Sequence, residues 1–99
     1  MNDQEIIALY FARDEQAIRE TDVRYGKTCM QVSMNIVESR PDAEECVSDG
    51  YLKTWHSIPP PRPASLFAFV CRIVRNLSIN RLRAMKAERR NRDLTLSFE

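Results

Sequence analysis

Apolar residues recur along this chain mostly at steps of three and four, the spacing of amphipathic helices rather than strands. Ile6, Ile7, Leu9, Tyr10 and Phe11 follow Asp3-Gln4-Glu5, which predicts a short helix capped by Asp3. Asp14-Glu15 is a second start signal. From it Ile18, Tyr25, Cys29, Val32 and Ile36 fall on one face of a helix ending near Ser39, with Gly26 a point where it can bend. Arg40-Pro41 ends that helix, because the residue before proline is pushed out of the α region. Asp42 then opens D-A-E-E, an N-cap with Glu45 placed to complete a capping box. Ala43, Val47, Tyr51 and Trp55 make the inward stripe of this third helix, and Glu45, Asp49, Lys53 and His56 lie on the opposite side.

Between Ser57 and Ser65 stand Pro59, Pro60, Pro61 and Pro63, which exclude helix and predict a stiff extended connector. Ser65 is placed to cap a last helix running to about Arg92, with Leu66, Phe69, Val70, Ile73, Val74 and Leu77 as its apolar face. Arg72, Arg75, Ile79, Arg83, Lys86 and Arg90 line another face within an arc of about 80°. Five cations so aligned repel one another until a polyanion neutralises them. A plain solvated face is the other reading of the same stripe. The expected fold is all-α, a compact bundle of about four helices, with residues 1–92 as one domain.

Composition narrows the function. Ninety-nine residues suit one domain, and only two glycines favour helix over sheet. No apolar run approaches the length needed to cross a bilayer and no signal peptide opens the chain, so the expected location is the cytoplasm. Cys29, Cys46, Cys71 and the single His56 have no metal-ligand spacing. With no Gly-rich phosphate loop or nucleophile elbow either, no catalytic residue, metal or cofactor is expected. The net charge of +1 conceals a polarity: residues 1–50 carry eleven acids against five bases, and residues 51–99 ten bases against three acids. Such asymmetry points to two partners of different character, one of them nucleic acid.

Two blocks of residues carry a resemblance. Asp42-Ala43-Glu44-Glu45-Cys46-Val47-Ser48-Asp49-Gly50-Tyr51-Leu52-Lys53-Thr54-Trp55 resembles the D-A-E-D-x-V-Q-E-x-F-L-x-x-W block of bacterial RNA polymerase sigma factors, with the extracytoplasmic-function subfamily most similar. Arg72-Ile73-Val74-Arg75-Asn76-Leu77-Ser78-Ile79-Asn80-Arg81-Leu82-Arg83 resembles that family's R-I-A-R-N-L-x-x-D-x-L-R. The resemblance implies a helical region-two domain whose acidic helix docks on the β′ clamp helices of core RNA polymerase, here through Glu45, Ser48, Asp49, Leu52 and Lys53. Ser48 stands where the family usually has Gln, and Asp49 where it has Glu.

The resemblance also implies that the connector and last helix open the promoter minus-ten element and hold its non-template single strand. The corresponding positions are Arg62, Ser65, Arg72, Arg75, Asn76, Asn80 and Arg83, to which the stripe adds Lys86. Arginine and lysine suit phosphates, and an asparagine amide offers both donor and acceptor to a base edge. An anti-sigma factor is a further candidate partner. Family members continue into a second, helix-turn-helix domain, so residues 93–99 are expected to begin the linker to it, in a chain excised from a longer protein; a natural one-domain factor is the other reading. The alternative is a protein-only helical adaptor whose cationic face meets an acidic partner such as an anti-sigma domain. Asn76 and Asn80 beside the arginines argue against it.

Overall fold

The computed structural model describes residues 1–97, with side chains through Asp93. Four α-helices follow in order: α1 (Asp3–Phe11), α2 (Gln16–Val37), α3 (Arg40–Ser57) and α4 (Leu66–Ser97). The three long helices pack against one another in pairs, and α1 lies across α2 and α4. This is the all-α bundle expected, and no strand occurs among the described residues.

Four boundaries differ from the sequence expectation. α1 is capped by Asn2, whose side chain accepts from the Glu5 amide while Glu5 reaches back to the Asn2 amide. The Asn2–Glu5 spacing satisfies the capping box and releases Asp3 for contacts elsewhere. α2 runs unbroken past Gly26 and stops at Glu38, which takes the left-handed conformation (φ 56°) usual for a helix C-terminus. α3 begins at Arg40, not Asp42, because Pro41 falls in the first turn, where its missing N–H removes no helical bond. Asp42 is bonded to Arg81 instead. α4 extends to Ser97, five residues beyond the expected end, since neither Gly nor Pro interrupts it. The linker assigned to residues 93–99 thus falls on helical backbone as far as Ser97, and Phe98 and Glu99 lie outside the described residues.

The core is graded along the bundle. At the α1 end Ile6, Ile7, Tyr10, Ile58 and Leu66 are fully buried, so α1 closes that end with large side chains. Further along, the buried positions are smaller: Cys29, Ser33, Ala43, Val74 and Ser78. Each buried hydroxyl has a partner. Thr21 donates to the Ala17 carbonyl (2.8 Å), which leaves the Tyr10 hydroxyl to donate to Thr21 Oγ1 (2.7 Å). Ser78 likewise donates to the Val74 carbonyl and so receives the Ser33 hydroxyl across the α2–α4 contact (2.7 Å).

Small residues let the helices approach. A Cβ on Gly50 would stand 2.6 Å from Val74 Cγ2, so α3 and α4 meet where one of them has no side chain. Gly26 makes room within its own helix instead. A Cβ there would lie 2.6 Å from Asp22 Oδ1, the atom that accepts the Tyr51 hydroxyl at 2.8 Å. The connector 58–65 is non-helical, as four prolines require. Bends at Pro59 and Pro60 replace the straight extension expected, with Ile58 buried as its anchor.

Candidate functional site

α4 presents the cationic stripe to solvent. The side chains of Arg72, Arg75, Arg83, Lys86 and Arg90 are all exposed, with Ile79 half-buried between them. Burial of Leu66, Val70, Val74 and Ser78 on the opposite side fixes this orientation, because one face of a helix cannot turn inward without turning the other out. Among the described residues none of the five cations is in an ion pair, whereas Arg24, Arg40 and Arg81 are. Asn76 and Asn80 are exposed next to the stripe.

Arg81 faces the other way. It bridges to Asp42 (3.0 Å) and Glu45 (2.5 Å) of α3, and these contacts, led by the hydrogen bond to Asp42, raise its pKa further above its already high ordinary value. A sequence count adds Arg81 to the basic half of the chain. The structure removes it, since its charge is spent within the bundle.

On α3 the residues Glu45, Ser48, Asp49, Leu52 and Lys53 are all exposed, as their spacing requires. Four of them divide between two grooves, and Lys53 lines neither. Ser48 and Leu52 line one between α2 and α3, together with Ile18, Asp22, Tyr51 and Trp55. Leu52 is 51% exposed there, a large apolar side chain left without cover. Glu45 and Asp49 line the other, between α3 and α4, beside Leu77, Asn80 and Arg81. None of the five stripe cations lines either groove; the cation beside Glu45 and Asp49 is Arg81.

The connector residues have local roles as well. Ser65 accepts from the Ala68 amide (3.1 Å) and so caps α4. The Arg62 guanidinium lies over the Phe11 ring, 4.4 Å from its centroid, and the residue remains exposed. Asp3 accepts both the Leu66 amide (3.2 Å) and the Tyr25 hydroxyl, and Arg24 lies 3.4 Å from the same carboxylate. No periodicity signals these contacts of Asp3, Phe11 and Arg81, because each joins residues far apart in the chain.

Among the described residues, no helix is long and apolar enough to cross a membrane, and no three His, Cys, Asp or Glu side chains gather as metal ligands. Comparison with known proteins gives one family: the sigma-70 region 2 model matches residues 23–88, two thirds of the chain, from α2 through most of α4. No curated protein and no solved structure matches. With a helical bundle, an exposed cationic helix and an acidic helix beside it, the chain belongs to the sigma-70 region 2 family, the non-catalytic part of a sigma factor that binds core RNA polymerase and promoter DNA in transcription initiation.

Proposed function

We propose that this is the region-two domain of an extracytoplasmic-function sigma factor, and that it holds the unpaired non-template strand of the minus-ten element on α4. The observation that carries the reading is the row of exposed cations from Arg72 to Arg90, with Asn76 and Asn80 at its side. Arg72, Arg75, Arg83 and Lys86 contact phosphates, and the two asparagines contact base edges. Arg62 and Ser65 bring the connector to the same strand. Glu45, Ser48, Asp49, Leu52 and Lys53 of α3 dock on the β′ clamp helices. Binding favours the opened strand over the duplex and so shifts a melting equilibrium. In this reading a helix-turn-helix domain belongs to the same factor.

Fluorescence anisotropy with a labelled single-stranded oligonucleotide tests the strand contact. Five neutralised phosphates, one for each cation of the stripe from Arg72 to Arg90, give log affinity a slope of about −3.5 against log salt. Arg75→Glu and Arg83→Glu weaken strand binding and leave capture of core polymerase intact. A salt-independent affinity, or loss of polymerase binding in the same variants, would refute the assignment of the two surfaces.

A further inference from the structure

The connector is held at three points by residues 1–13, all of which precede the residues that match the family model. At its start, Arg13 Nη1 donates to the carbonyls of Ile58 (2.7 Å) and Trp55 (2.8 Å), with the guanidinium 3.7 Å from the Trp55 ring centroid. In its middle, Phe11 lies beneath Arg62 at 4.4 Å. At its end, Asp3 accepts the Leu66 amide. Arg13 makes its contacts from a left-handed backbone (φ 55°), a conformation uncommon for a residue with a side chain.

A planar guanidinium resting on an aromatic face loses much of its rotamer freedom while its N–H edges stay open to an anion. Arg62 meets this description, being exposed and in no ion pair among the described residues. We propose that Phe11 is a positioning residue for strand binding: its ring presets Arg62 for unpaired DNA, while Arg13 and Asp3 fix the two ends of the connector that carries it. This rests on the strand-binding reading above. It assigns to α1 and the turn after it a part in promoter contact, beyond filling the core.

A double-mutant cycle on the full chain tests it, read by anisotropy with a fluorescein-labelled single-stranded oligonucleotide of mixed sequence, with thermal melts run in parallel. Phe11→Leu keeps apolar bulk and removes the ring face; it weakens strand affinity about two- to fivefold. Phe11→Trp retains the affinity, as a merely space-filling role would not ensure. Arg62→Ala weakens binding and shallows the salt slope by about 0.7. Adding Phe11→Leu to Arg62→Ala changes affinity no further, because the ring acts through the arginine.

Full additivity of the two changes, failure of Trp to substitute, or indifference to Arg62→Ala overturns the positioning role while leaving α4 as the strand site. Indifference to Arg75→Glu overturns the strand-binding reading itself.

Discussion

Cys29 and Tyr51 show what burial does to single groups. Burial, then the nearby Cys71, pushes the Cys29 thiol up to about 12, and burial together with the hydrogen bond to Asp22 raises Tyr51 as well. Both groups are neutral acids that the folded chain keeps protonated and the unfolded chain releases more readily. Their contribution to stability is complete below the unfolded values of about 9 to 10 and is lost as pH rises through the folded ones. Urea midpoints are therefore steady from neutral pH to about 9 and fall above about 10. Iodoacetamide leaves Cys29 unlabelled at neutral pH in the folded chain and labels it once urea unfolds the protein. The residues facing solvent are legible from helical spacing alone: every cation of the α4 stripe and every member of the α3 set is exposed. The status of Glu45 is not, because its partner Arg81 is 36 residues away and a helical wheel describes one helix at a time.

Elements are legible wherever breakers or periodicity mark them, and illegible where two helices compete for the same few residues. Only Glu38 and Ser39 separate α2 from α3. Asp42-Ala43-Glu44-Glu45 has the pattern of a capping box, yet the helix already starts at Arg40, and Asp42 satisfies an arginine on α4. The apolar stripe of α2 is off-centre from its true inner face for a related reason. The fully buried positions there include Thr21 and Ser33, residues that hydropathy alone does not assign to a core. They are inside because they are small and because the Thr21 hydroxyl bonds to the Ala17 carbonyl and the Ser33 hydroxyl to Ser78. The α3–α4 contact makes this measurable. Gly50→Ala places a methyl group against Val74 and costs about 1–3 kcal/mol in a chemical or thermal unfolding experiment, although alanine favours helix. A gain in stability would mean that the two helices are not in that close approach.

At the scale of the molecule, length departs from compactness. The extents are 58 × 24 × 20 Å and the radius of gyration is 16.3 Å, against about 13 Å for a rounded domain of this size. The excess comes from α4, whose 32 residues span about 48 Å while α2 and α3 are shorter. Through Ser78 every fourth residue from Leu66 is buried; from Arg83 to Asp93 none is. Amide exchange follows that division: the amides of Leu66–Ser78 are protected nearly as well as the core of α2, and those of Arg83–Asp93 exchange orders of magnitude faster. Uniform protection along α4 would mean that its second half is covered in solution.

The contact of Gly50 with Val74 also acts as a fulcrum. From there to Ser97 the last helix is a lever arm of about 35 Å, so a tilt of only about 5° at the glycine swings the far tip by roughly 3 Å. One missing methyl group thus sets the pitch of the charged row on α4.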